Sequence, residues 1–187
     1  DLMGMESKYV WMDGELVDFE KATVHMLTPA LHYGAAVFEG IRAYNTDKGP
    51  AVFRLTEHAD RLLDSARVFG IRELPFTVED VVKGVKDTVR ANGFTDSYIR
   101  PLLYIKGGAW NLNVDAGKPA LAIAVWEWSN YLGEEAMAKG IRANISSYTR
   151  HHPNVSMTKA KISGNYVNSF LAKTESERLG FQEAIML

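Results

Sequence analysis

The sequence predicts an α+β fold on three observations. Short β-patterned runs joined by tight turns open the chain, two amphipathic helical segments follow, and two long β runs then return at Ser97–Lys106 and Pro119–Trp128. Strands, then helices, then strands is the order of a layered α+β unit, closing here by about residue 132.

The elements can be justified in turn. Tyr9-Val10-Trp11 and Leu16-Val17 flank Met12-Asp13-Gly14-Glu15, and Asp-Gly between apolar runs signals a hairpin. A second pair runs from Ala36 to Tyr44 and from Pro50 to Arg54 across Asn45-Thr46-Asp47-Lys48-Gly49. From Thr56 to Phe69, Ala59, Leu62, Leu63 and Ala66 recur at helical spacing, with Gly70 where a C-terminal cap belongs. Thr77-Val78-Glu79-Asp80 has the form of a capping box, with Asp in place of the usual Glu or Gln. Val81, Val82, Val85 and Val89 make the buried stripe of that helix, and Asn92-Gly93 ends it. Pro101 lies within the Ser97–Lys106 run, so a bulge or unpaired edge is expected there. After Gly133 the character changes: a strand over Gly140–Ser147, a polar loop over Tyr148–Lys161, then a helix. Ser163 is expected to cap that helix, which carries Tyr166, Val167, Phe170 and Leu171 on one face and closes at Gly180. Phe181–Leu187 begins a further apolar strand.

Composition narrows the function classes. At 47% hydrophobic and 24% charged residues, the chain reads as an ordinary soluble globular protein. It has no apolar run of the roughly 18 residues that a membrane helix needs, and Asp1–Ser7 lacks the pattern of a signal peptide. The absence of cysteine rules out a thiol nucleophile, a thiolate zinc site and a disulfide framework, and fits the cytoplasm. A net charge of −2 argues against a nucleic-acid partner.

Four segments, in order along the chain, carry a resemblance. They are Ala30-Leu31-His32-Tyr33-Gly34 continuing through Val37-Phe38-Glu39-Gly40-Ile41-Arg42; Phe53-Arg54 with Glu57-His58 and Arg61-Leu62-Leu63-Asp64-Ser65-Ala66; Tyr98-Ile99-Arg100-Pro101-Leu102; and Ala160-Lys161-Ile162-Ser163-Gly164-Asn165-Tyr166, followed by Gly180-Phe181-Gln182-Glu183-Ala184. Together they resemble the branched-chain amino-acid aminotransferases of pyridoxal-phosphate fold type IV. The resemblance implies an N-terminal α/β domain over residues 1–133, and an interdomain loop with the start of a C-terminal pseudo-barrel cofactor domain over 134–187. The second unit is small for a core of its own, below the roughly 70 residues at which one becomes adequate. Ala184-Ile185-Met186-Leu187 has the pattern of a central strand. The expectation is an incomplete copy of the active site: the enzymes it resembles continue beyond this point, and the resemblance places there the glutamate that pairs with the pyridine nitrogen.

The implied reaction moves an amino group between leucine, isoleucine or valine and 2-oxoglutarate through lysine-bound pyridoxal 5'-phosphate. Lysine is the side chain that condenses with the cofactor's aldehyde. On its own, either Lys159 or Lys161 reads as a solvated loop residue; the family pattern of a lysine, three small or apolar residues and then Asn-Tyr selects Lys161. The resemblance gives Arg61 to the cofactor phosphate and Tyr166 to the cofactor's ring oxygen. It gives Tyr98 and Arg100 to substrate, the arginine helping to admit glutamate's distal carboxylate. Tyr98 and Arg100 are two apart on a strand and share a face, with Ile99 and, if a bulge permits, Leu102 turned to the core. Phe38, Trp128 and Tyr131 match positions lining the side-chain pocket, and Tyr33 one that reaches a partner subunit's site, implying a homodimer or higher homo-oligomer. Read singly, these aromatics are as well explained as core residues, and Glu39, Arg42 and His32 as structural ones. The rival readings are a D-amino-acid aminotransferase or aminodeoxychorismate lyase of the same fold, and a non-catalytic fragment or dimerisation module.

Overall fold

The computed structural model describes residues 7–108, 110–128 and 133–187. The chain divides into two compact units: one holds the chain up to Trp128 together with Lys159–Ser163, the other the remainder up to Leu187.

The first unit is built on an antiparallel sheet. Its strands are β1 (Tyr9–Met12), β2 (Glu15–Asp18), β3 (Ala36–Phe38), β4 (Ile41–Tyr44), β5 (Ala51–Val52), β6 (Ser97–Gly107) and β7 (Lys118–Glu127). They lie in the order β2-β1-β7-β6-β4-β5, with β3 also paired to β6. The β1–β2 hairpin turns at Asp13 and Gly14, both at positive φ (49° and 112°), as the tightest hairpin turns require. Helices α2 (Leu55–Phe69) and α3 (Val78–Asn92) cover one face, and the short helix α1 (Pro29–Tyr33) lies against β6.

Helix α3 starts at a complete capping box. The Thr77 hydroxyl accepts from the Asp80 amide at 3.2 Å, and the Asp80 carboxylate accepts from the Thr77 amide at 2.8 Å. The Thr77 amide, with the Thr77 hydroxyl donating to the same carboxylate oxygen at 2.9 Å, holds the Asp80 pKa below its ordinary value. Val81, Val85 and Val89 are buried against the sheet, with Val82 at the margin. Gly84 permits the close approach: a Cβ there would come within 2.7 Å of Ile123 Cδ1 and 3.1 Å of the Trp11 ring. At the other end, buried Asn92 clips the helix to β1, accepting from the Lys8 and Tyr9 amides and donating to the Tyr9 and Thr88 carbonyls.

Pro101 distorts its neighbour and leaves its own strand intact. Strand β6 runs straight through it, paired with β7 at Pro101↔Ile123, and the bulge falls later, between Ile105 and Gly107. On the other side, the Pro101 carbonyl accepts from the Glu39 amide at 3.0 Å, but proline has no N–H to return to the Glu39 carbonyl. The partner strand is interrupted at that point, at Glu39-Gly40, into β3 and β4. Because β6 keeps its alternation there, Leu102 does not join Ile99 in the core; it shares the face of Tyr98 and Arg100, against Ala36, Tyr104 and Ala120.

The second unit pairs β8 (Ala143–Ile145) with β9 (Glu183–Ile185) in parallel, beside helices α4 (Gly133–Lys139) and α5 (Val167–Arg178). The Glu175 carboxylate accepts from the hydroxyls of Ser146 and Ser147 and from the Ser147 amide, which lowers its pKa. Two expectations fail here. Ser163 opens a 3-10 turn over Ser163–Tyr166 and caps no helix; Tyr166 sits at the N-cap of α5. The expected apolar face is also exposed at Val167, Phe170 and Leu171, while the small residues Ala172 and Ser176 are buried. Helix α4 was not expected from the sequence. No helix among the described residues is long and apolar enough to cross a membrane.

Candidate active site

Alternation along the strands sorts the first unit's side chains to two faces of the sheet. Val37, Ile41, Ile99, Leu103, Leu121, Ile123 and Val125 point to the helices and are buried. Phe38, Arg42, Tyr98, Arg100, Trp126 and Trp128 occupy the opposite face and are half-buried.

On that face the aromatic rings and cations pack together. The Tyr98 ring stacks on Trp128 at 4.8 Å and lies 4.9 Å from Trp126. The Arg100 guanidinium sits 4.7 Å from the Phe38 ring centre and 5.2 Å from that of Tyr98, and donates to the Tyr98 hydroxyl at 3.1 Å. Arg42 lies 5.4 Å from the Trp128 ring. Among the described residues, the buried Nε donors of Arg100 and Arg42 have no acceptor. Gly40, opposite Arg100, makes the crowding possible, since a Cβ there would overlap the Tyr98 hydroxyl.

Lys161 reaches the cluster from a distant part of the sequence. Its carbonyl accepts from the Phe38 amide at 3.1 Å, Ile162 bridges Val37, and its amide donates to Ser65 Oγ at 3.2 Å. Ala160 and Ile162 are buried in the helix-side core, which turns the intervening Lys161 the other way. Its Nζ stands 4.7 Å from the Phe38 ring centre. Lys161 and Arg100 thus lie at the same distance from one ring.

Arg61 is one helical turn before Ser65 on α2 and shares its face. Its Nε and Nη2 donate to the two carboxylate oxygens of Glu39 at 2.7 and 2.6 Å, and His58 Nδ1 lies 2.9 Å from Glu39 Oε2. Glu39 is completely buried.

The fold therefore brings Lys161, Phe38, Tyr98, Arg100 and Trp128 together, with Arg61 one helical turn from Ser65, the residue that fixes the Lys161 backbone. Tyr166 belongs to the second unit. Tyr33 is exposed and packs edge-on against Trp110 at 5.7 Å. Tyr131 lies outside the described residues. Sequence reasoning passed over Trp126 and assigned Arg42 and Glu39 no more than a structural role. Trp126 carried a usable signal, being two residues before Trp128 and therefore on the same face of the strand.

Residues 36–187 match the family model for amino-transferase class IV. The branched-chain-amino-acid aminotransferase of Pseudomonas aeruginosa is 45% identical over 95% of this chain, which covers 58% of that protein. The branched-chain aminotransferase of Thermoproteus uzoniensis, solved with norvaline, superimposes with a TM-score of 0.90 at 44% identity; 97% of this chain covers 60% of that one. The T.th. branched-chain amino acid aminotransferase, solved with N-(5'-phosphopyridoxyl)-L-glutamate, gives 0.89 at 44% identity, with 98% of this chain covering 59% of it. The chain spans just under three-fifths of the length of its P. aeruginosa relative, and it shares the fold type IV architecture over that part. Sequence, fold and the grouping of Lys161 with Phe38 and Arg100 agree that this chain belongs to the class IV amino-transferases.

Proposed function

We propose that the protein containing this chain transfers amino groups between branched-chain amino acids and 2-oxoglutarate, with pyridoxal 5'-phosphate held by Lys161, Arg61 and Tyr166. The observation that carries this reading is the pairing of Lys161 Nζ and the Arg100 guanidinium over one Phe38 ring, beside an Arg100 Nε donor that lacks an acceptor among the described residues. An amine and a guanidinium at one ring suit an α-amino acid and its 2-oxo acid, which bring a carbonyl and a carboxylate.

The donor set fits the cofactor: a primary amine for its aldehyde, a guanidinium cation for its phosphate and a phenol for its ring oxygen. When bound, that group withdraws electrons from the substrate Cα. Lys161 Nζ then carries the proton at that carbon, held in place by the two backbone hydrogen bonds of Lys161. Arg61 grips the phosphate with a guanidinium already fixed in plane. Tyr98 and Arg100 orient the substrate, and Arg100 accepts the distal carboxylate of glutamate. Phe38 and Trp128 bound an apolar pocket that favours Leu, Ile and Val side chains by burying their surface. The norvaline and phosphopyridoxyl-glutamate bound in the two solved relatives are an aliphatic amino acid and a glutamate conjugate, the two substrate classes this reading needs. The reading includes a homo-oligomer, with exposed Tyr33 at the partner's site, working in the cytoplasm.

The test is borohydride reduction of the cofactor-loaded protein, followed by peptide mass spectrometry. A stoichiometric adduct on Lys161 is the expected result. An adduct on Lys159, or labelling scattered over surface lysines, overturns the assignment.

A further inference from the structure

The Glu39 carboxylate stands where an apolar side chain would suit the core. It points to the helix side of the sheet between Val37 and Ile41, both fully buried, and is itself 0% exposed. A buried carboxylate costs several kcal/mol of desolvation unless its partners compensate, and a well-packed apolar residue is often no less stable at such a position. Here both partners come from one face of α2: the Arg61 fork and the His58 ring, three residues apart. The carboxylate can reach them because the strand is broken at Glu39-Gly40, opposite Pro101.

From this arrangement we infer that Glu39 is a positioning residue: it aims Arg61 at the phosphate of the cofactor. Side-on pairing engages Nε and Nη2 and fixes the plane of the guanidinium. Nη1 takes no part in this pairing, on a side chain that remains 58% exposed. Without Glu39, a long arginine on an exposed helix face samples many rotamers, and ordering it would weaken every contact it makes. His58 occupies the same carboxylate oxygen as Nη2 and so restricts Glu39 in turn.

This inference rests on the reading that Arg61 binds the cofactor phosphate, and the test separates the two. In the full-length protein, dissociation constants are measured for pyridoxal and for pyridoxal 5'-phosphate; the ratio of the first to the second isolates the contribution of the phosphate. General damage to the site weakens both ligands and leaves the ratio unchanged. Arg61→Ala is expected to lower the ratio about 10- to 100-fold, the scale of charge-assisted hydrogen bonds. Glu39→Leu is expected to approach the same loss, Glu39→Gln to lower the ratio about 3- to 10-fold, and Arg61→Ala with Glu39→Leu to add nothing to Arg61→Ala alone. A full loss in Arg61→Ala with an unchanged ratio in both Glu39 variants overturns the positioning role. An unchanged ratio in Arg61→Ala overturns the phosphate reading itself. Should Glu39→Leu fail to fold by circular dichroism, the isosteric Glu39→Gln decides alone.

Discussion

The two faces of the first unit's sheet are drawn from the same strands at alternating positions, and they differ in kind. Toward the helices, Ile99, Leu103, Ile105, Leu121, Ile123 and Val125 are at most 1% exposed, and Glu39 interrupts that apolar layer with its charge held by two partners. On the reverse, Tyr98, Arg100, Trp126 and Trp128 are half-buried and stacked, with a guanidinium donor unsatisfied among the described residues. The helix side pairs the Glu39 charge internally and, among the described residues, leaves the Ser97 hydroxyl without a partner; the reverse face leaves donors of charged guanidinium groups without one.

The contrast can be broken by exchanging effects between faces. The largest expected effect is on the helix side: Leu103→Ala leaves a cavity under α2 and α3 and should lower unfolding free energy by about 3 kcal/mol. Denaturant titration would register it, with the Lys161 borohydride adduct unchanged in the folded fraction. On the reverse face, Arg100→Leu should change stability by less than about 1 kcal/mol while raising the KM for glutamate about 10- to 100-fold and leaving that for leucine within a few-fold. Equal losses for both amino donors would show that Arg100 supports the face generally and does not read the distal carboxylate. The smallest effect lies away from both faces. The Asp80 pKa is depressed in the folded protein, so its contribution is present above the ordinary Asp value near pH 4 and is lost as pH falls through the lower folded value. Asp80→Asn should therefore cost about 0.5 kcal/mol at pH 7 and nothing measurable near pH 2, read as the difference between two denaturation curves.

How much was legible in the sequence depended on range. Helix α3 could be read from Thr77 to Gly93 because its cap, stripe and stop are local signals that packing reinforces. The Tyr98–Arg100 pair was legible because strand alternation is local too. Pro101 announced a broken ladder, but not which strand would break; that depends on which neighbour faces the missing N–H. Glu39 was illegible for the same reason: its burial is decided by α2 residues that join it only in the fold. Helix α5 misled because periodicity reports an apolar stripe, while the residues this helix buries are Ala172 and Ser176, the latter bonded through its hydroxyl to Asn144 of β8.

The strip from Ala160 to Ile162 has a consequence for the order of assembly. It completes the free side of β3 through backbone pairing between residues about two-thirds of the chain apart. Such closures are slow relative to hairpins and helices, because a long loop must be ordered before any contact rewards it. During synthesis the sheet and both covering helices are made before this strip emerges. The sheet thus forms first with β3 open on one side, and the lysine arrives as the last piece of a unit already built. Until then the cleft has its aromatic and arginine walls but no amine, so maturation of the site is coupled to completion of the first unit.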